Sequence, residues 1–198
     1  MLRAMVFIDF ENFQINLNNY YKSLGSHSPR LDYNALPMNV VNKLVVPHVL
    51  VKTFLFAPKP DSFLMDDDRR SSTYSWINGM KNQDRFTVVE GTHAARPVSG
   101  FTYKTMSIDN PASYYVTEKG TDVNIAVHMI TKGFMNSYDT AILMSGDTDY
   151  LPVLDILNTL GKSVVVVGVS GQSLQSFKHR SDEQIILDKT FFDSCLRR

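Results

Sequence analysis

Apolar residues in this chain fall into short unbroken runs, and stretches of helical spacing separate the runs. Arg3 to Phe10 predicts a buried strand, and Phe13 to Leu24 sets Ile15, Leu17, Tyr20 and Tyr21 at helical spacing. Gly25 to Pro29 reads as a loop, about Tyr33 to Leu44 as a second helix, and Val49 to Phe56 as a strand closed by Ala57-Pro-Lys-Pro60. Ser62 to Met80 reads as a helix, with Asp66-Asp-Asp-Arg-Arg70 as a solvated face, and Phe86 to Glu90 as a third strand. Gly91 to Thr117, punctuated by Pro97, Gly100 and Pro111, predicts one long irregular stretch with a β-hairpin around Phe101-Thr-Tyr-Lys104. From Thr121 the spacing turns helical again, with Gly133 as a C-cap. Thr140 to Met144 is a strand-sized run, and Tyr150 to Leu160 is its helix. Ser163 to Gly168 predicts a further strand, Gly171 to His179 a last long helix, and Gln184 to Leu187 an edge strand. Apolar strands without alternation, separated by helices, argue for an α/β fold with a parallel sheet covered on both faces.

Length and composition narrow this picture without changing it. The 198 residues fit a single domain over 1–198, with an irregular insertion at about 91–117. A composition of 43% hydrophobic and 20% charged residues favours neither disorder nor a membrane class. Met1 to Ile8 is too short, and runs too directly into Asp9, for a secretory or transmembrane segment, so a cytoplasmic protein without membrane contact is expected. The single cysteine, Cys195, leaves no internal disulfide or Cys-rich zinc site. Lys and Arg balance Asp and Glu, 20 against 20, so a nucleic-acid partner has to be met by a local patch. The sequence leaves a homo-oligomer open.

The chemistry gathers where apolar runs end. Asp9 and Asn12 follow the first strand, Glu118-Lys-Gly-Thr-Asp122 opens the helix after the irregular stretch, and Asp147 with Asp149 follows the strand Thr140 to Met144. In a parallel sheet all carboxyl ends lie on one side, where open α/β sheets place their ligands. Two like charges ~4 Å apart repel by ~4 kcal/mol at an effective dielectric of about 20. Such a cluster either protonates in part or holds cations, and an all-oxygen set selects Mg²⁺ or Mn²⁺. Ions of this kind polarise a phosphodiester and lower the pKa of bound water, which suits phosphoryl hydrolysis. Helix capping also accounts for Asp149 or Thr148, for Asp122 or Thr121, and for Asn12, taken one at a time. Capping does not by itself place acids at three ends facing one way.

At these residues the chain resembles the NYN domain family, a branch of the PIN-like nucleases related to flap endonucleases. Phe7-Ile-Asp9-Phe-Glu-Asn12 is similar to the family's opening motif, Glu118-Lys-Gly-Thr-Asp122-Val to its Lys-Gly-x-Asp-Val motif, and Ser145-Gly-Asp147-Thr-Asp149-Tyr150 to its Ser-Gly-Asp-x-Asp-Phe signature. Gly161 to Gly168, Leu174 and Ser181-Asp182 resemble its closing segment. The resemblance implies a three-layer PIN-like fold, with a central, mainly parallel sheet and helices on both faces. It also implies a ribonuclease, a hydrolase dependent on Mg²⁺ or Mn²⁺. Carried over, Asp9, Asp122, Asp147 and Asp149 are the metal-binding and catalytic acids. Asn12 positions Asp9 or the scissile phosphate, and Ser145 and Thr148 orient the carboxylates or touch phosphate. The implied products carry a 5′-phosphate and a 3′-hydroxyl. One departure is His128, which stands where many relatives have a second helical aspartate and is read as a partly buried histidine.

A nuclease needs cations around its acids, and Lys119, His93, Arg96, Lys104 and Lys178-His-Arg180 are the candidates. Tyr103, Tyr114 and Tyr115 offer stacking faces for single-stranded RNA. A nuclease-fold protein that binds RNA or a protein partner without appreciable catalysis is the alternative class. An aspartyl-nucleophile phosphatase fails because no lysine fits between Ser145 and the acidic pair. A dinucleotide site at Gly168-Val-Ser-Gly171 lacks the rest of its fingerprint.

Overall fold

The first apolar run lies at the middle of the sheet, because both of its faces and both of its edges find partners. A computed structural model describes residues 1–197. In it, β1 (Leu2–Asp9) runs parallel to β2 (His48–Pro60) on one side and to β5 (Thr140–Met144) on the other. Beyond β2 lies β3 (Phe86–Pro97), parallel, and then β4 (Tyr114–Lys119), antiparallel. Beyond β5 lie β6 (Ser163–Val169) and β7 (Glu183–Leu187), both parallel. The result is an α/β fold whose seven-stranded sheet has the order β4-β3-β2-β1-β5-β6-β7. The chain winds outward from β1 in one direction and from β5 in the other. The gap between the carboxyl ends of these two strands is therefore the topological switch point, where such sheets hold ligands.

Successive residues of β1 supply different cores, which explains the missing alternation. Ala4, Val6 and Ile8 pack with Phe13, Leu17 and Tyr21 of α1 (Phe10–Ser23), with α2 (Ala35–Val41), and with Phe191 and Phe192 of α6 (Lys189–Asp193). Met5 and Phe7 pack with Ile125 and Met129 of α4 (Thr121–Phe134) and with Val153, Leu154 and Leu157 of α5 (Leu151–Thr159). Phe7 stacks on Phe54 at 5.5 Å and meets Tyr138 edge-on at 5.8 Å. Burying such a ring contributes about 1.5–3 kcal/mol.

Several expected boundaries move, each for a local reason. The strand expected to stop at Phe56 continues through Pro58 and Pro60. Thr53 and Asp61 donate their N–H groups to carbonyls of the β3 side, so the prolines, at even positions, lack theirs on the opposite side. There β1 has already ended, with Asp9 level with Phe56, and no ladder bond is lost. The irregular stretch is also shorter than expected. β3 runs on to Pro97 and pairs with β4 from Thr92↔Lys119 to Pro97↔Tyr114, which leaves residues 98–110 as the hairpin's long tip before a 3-10 turn at Pro111–Ser113. The hairpin thus brackets Phe101 to Lys104 rather than centring on them.

Ser62 to Met80 resolves into a 3-10 turn at Leu64–Asp66 and α3 (Asp68–Gly79). Gly133 is not a C-cap. It lies inside α4, where a Cβ would fall 2.9 Å from both Leu157 Cδ2 and Tyr138 Oη, while Asn136 takes the positive φ beyond the helix end. Gly171 to His179 forms only a 3-10 turn at Gln175–Phe177, because Leu174 and Phe177, three apart, are its sole buried residues. Among the described residues, no helix is long and apolar enough to cross a membrane.

Candidate active site

Asp9 ends β1 at the switch point and is 5% exposed. Its Oδ1 accepts from the Asn12 backbone N–H at 3.3 Å and so caps α1. Its Oδ2 accepts from Ser145 Oγ at 3.0 Å and lies 3.1 Å from Tyr150 Oη. Burial pushes the Asp9 carboxyl above its ordinary value; the three hydrogen bonds oppose that shift and the charge on Asp122 adds to it.

Tyr150 links the first acidic turn to the second. Its hydroxyl is 2.8 Å from Asp122 Oδ1, at the start of α4, as well as 3.1 Å from Asp9. A phenol has one proton to donate, so two such contacts are satisfied together only when one carboxyl carries a proton. Burial, then the charge on Asp9 and the bond to Asp122, hold the Tyr150 phenol protonated far above the ordinary tyrosine range.

Asp147 joins through Ser145, whose Oγ accepts from the Asp147 N–H at 3.2 Å. Asp147 Oδ1 accepts from the Asp149 N–H at 3.0 Å, so the capping expected of Asp149 or Thr148 falls to Asp147, at a 3-10 turn over Thr148–Tyr150. Asp149 and Thr148 are both exposed. Asn12 does more than stand beside Asp9. Its Oδ1 accepts from Gly146 N, Gln172 Nε2 and Asn16 Nδ2, each at 3.2 Å, tying the turns after β1, β5 and β6 together. Gly146 leaves room for that clamp, since a Cβ there would fall 2.0 Å from Gln172 Nε2.

A second group lies on the β3–β4 side. His93 Nε2 on β3 is 3.2 Å from Glu11 Oε1 and 3.9 Å from Glu118 Oε2 on β4. Among the described residues, this is the group in which three acidic or imidazole ligand atoms all lie within 4.8 Å of one another, close enough to hold a metal ion. The aspartates are not drawn together that tightly. Burial pushes Glu11 up, but hydrogen bonding to His93 and Glu118 outweighs it and leaves Glu11 below the ordinary glutamate value. Burial and the neighbouring Glu11 raise Glu118 to about 7. A cavity of about 340 Å³ adjoins the group, lined by Glu11, His93, Asp67, Arg69, Arg70 and Tyr74. The run Asp66 to Arg70 is exposed or half-exposed, as expected of a solvated face, and its two arginines also line this cavity.

The family model for the NYN domain matches residues 3–188. The chain belongs to the NYN domain family. This family is nuclease-like, and its nucleases generally depend on divalent metal ions. The NYN chain is also similar to a crystal structure of a protein of unknown function from Vibrio parahaemolyticus, with a TM-score of 0.56 and 19% identity over 96% of this chain and 95% of that one. At that identity the likeness speaks for the fold alone. No curated protein matches the chain.

Within the NYN motifs two positions stand out. Tyr150 occupies the place of the signature's phenylalanine, and that single extra hydroxyl is the signal by which its bridging position was open to inference. His128 packs against Phe54 and Phe56 at 5.5 and 5.4 Å, and its Nδ1 meets the Asn124 carbonyl at 2.8 Å, as a half-buried helical histidine would. The cationic candidates are spread out. Arg96 donates to Tyr103 Oη at 2.8 Å, Arg180 pairs with Asp155 at 2.9 Å, and Lys119 and Lys104 are exposed. Tyr103 and Tyr115 are exposed, whereas Tyr114 packs edge-on against Phe63. Gln172, Arg69 and Arg70 carry no family motif, and only their place in the fold brings them to this site.

Proposed function

We propose that this NYN domain, a three-layer PIN-like fold over 1–198, is a ribonuclease that hydrolyses phosphodiester bonds of single-stranded RNA with Mg²⁺ or Mn²⁺. One observation carries the reading: Asp9 and Asp122, from elements 113 positions apart in sequence, meet at one tyrosine hydroxyl at the switch point, with Asp147 linked through Ser145. The donor set fits a hard cation. Among the described residues, Asp122 Oδ2 and Asp147 Oδ2 accept no hydrogen bond, and Mg²⁺ keeps several waters and needs only one or two carboxylates besides phosphate. Asp9, Asp122 and Asp147 are the residues that would hold the ion, with Asp149 at the exposed rim. A bound ion of this kind polarises the phosphodiester and activates water.

The protein's own residues set the geometry. Ser145 and Tyr150 fix the Asp9 Oδ2 direction, so the carboxylate is aimed before substrate arrives. Asn12 holds the three turns at a constant spacing through Gly146 and Gln172. Thr148, Lys119, Arg96 and Lys104 are assigned to the RNA backbone, with the Tyr103 and Tyr115 faces available for bases.

A second reading, RNA binding without cleavage, is favoured by the Tyr150 hydroxyl, which fills the space between Asp9 and Asp122. One assay separates the two. Short single-stranded RNAs are incubated with Mn²⁺ and wild type or Asp147→Asn, and the ribonuclease reading expects cleavage by wild type to exceed the variant's by roughly a hundredfold, an electrostatic loss of about 2.7 kcal/mol. Equal cleavage by the two proteins leaves only the binding role.

A further inference from the structure

Glu11, His93 and Glu118 come from the start of α1, the outer half of β3 and the end of β4, and none belongs to the aspartate set above. We propose that these three side chains form a second cation site, which takes a divalent transition metal ion through one imidazole nitrogen and two carboxylates. Their ligand atoms already lie within 4.8 Å of one another. In the tetrahedral arrangement zinc favours, bonds of about 2.0–2.2 Å to nitrogen and oxygen set ligand atoms about 3.4 Å apart, so a contraction completes the set. The nitrogen decides the class of ion. Zinc accepts mixed imidazole and carboxylate donors, whereas Mg²⁺ prefers oxygen throughout and suits the aspartates instead.

A separate observation points into the same place. Thr121 is 2% exposed and, among the described residues, its Oγ1 has no hydrogen-bond partner. That hydroxyl faces the Glu118 carboxyl closely enough to favour its charged form. Glu118, pinned as a carboxylate, is the acceptor Thr121 lacks. The backbone is shaped to permit this approach, because Gly91 on β3 has no Cβ where Thr121 Oγ1 sits, only 2.3 Å from the point a Cβ would occupy. Access is open as well. His93 and Glu11 line the cavity of about 340 Å³, so an ion can enter from that side and keep an open position toward it. Arg69 and Arg70 line the same cavity, which favours an anionic oxygen ligand in that position.

The test is calorimetric titration of Zn²⁺ into the chelator-treated full chain, for wild type, His93→Gln, Glu118→Gln and Asp147→Asn, with circular dichroism to verify folding. One Zn²⁺ equivalent is expected in wild type and in Asp147→Asn. Affinity is expected to fall at least roughly tenfold in both cluster variants, since loss of outer partners alone costs about 10–100-fold at metal sites. If the cluster variants do not fold, anomalous scattering from Zn²⁺-soaked wild-type crystals decides the matter. Density at His93 Nε2 supports the site. Zn²⁺ binding unchanged in folded His93→Gln, absence of binding in wild type, or density confined to the aspartates overturns it and leaves the cluster as a proton-sharing ion pair. Because the readout is Zn²⁺ affinity, failure here and failure of the RNA-cleavage assay are distinct results.

Discussion

One oxygen atom, Tyr150 Oη, determines how Asp9 and Asp122 face each other. Its single proton faces two carboxylates, and with an ion bound it competes for the same carboxylate lone pairs. Tyr150→Phe keeps the buried ring, which is 1% exposed, and deletes only that oxygen. The chelated variant is expected to lose about 1.5–3 kcal/mol in urea unfolding, the range for a hydrogen bond to a charged partner. Its affinity for Mn²⁺ is expected to rise, because both carboxylates are freed. The two measurements together identify the role. A stability loss with unchanged Mn²⁺ affinity would place the ion away from these two acids. Ser145 is a different case, since its Oγ serves Asp9 and the Asp147 N–H at once, and its removal disturbs two acids in a single step.

Among the elements, the β3–β4 hairpin departs most from what its residues suggest. Gly91 brings β3 against the first turn of α4, where a Cβ would lie 3.1 Å from the Lys119 carbonyl and 3.2 Å from Thr121 N as well as against Thr121 Oγ1. Backbone atoms cannot step aside as a side-chain tip can. Gly91→Ala is expected to cost about 1–3 kcal/mol by overpacking and to shift Asp122 with its helix. Chemical denaturation measures the first effect, and Mn²⁺ affinity the second; a variant as stable as wild type would mean the hairpin is free to slide. The same hairpin shows why the sequence was only partly legible. β1, β5 and β6 announce themselves because both faces are buried and their residues are apolar without a break. Thr92-His-Ala-Ala-Arg-Pro97 and Tyr114 to Lys119 lie at an edge, half exposed, and show neither an apolar run nor clear alternation. Asp9, Asp122 and Asp147 were visible as acids ending recognisable elements, whereas the Glu11, His93 and Glu118 group depends on a pairing, His93 level with Glu118, that the sequence did not suggest.

Across the whole molecule, positive and negative side chains balance, so the pH dependence of stability follows from individual groups rather than net repulsion. Asp9 and Glu118 are raised, Glu118 to about 7 from 4.5. The native state therefore holds more protons than the unfolded chain between those values, and stability falls as pH rises through that window. Glu11 and Asp139 are lowered; for Asp139 the hydrogen bond from Arg3 brings the carboxyl to about 2 from 3.8. Their stabilisation is complete above the ordinary carboxylate values and is lost as pH drops below them. The chelated protein is thus expected to be most stable on the acid side of neutrality and to melt at progressively lower temperature from about pH 4.5 to about 7. Glu118→Gln is expected to flatten that slope, and Asp139→Asn to remove part of the drop at lower pH. Metal ions reverse the argument, because they bind the deprotonated carboxylates and displace protons. Thermal melts with Zn²⁺ or Mn²⁺ are expected to gain stability as pH rises over the same window. A chelated melting temperature that rises toward neutrality in wild type and Glu118→Gln alike would show that the crowded glutamates are not what sets the proton balance.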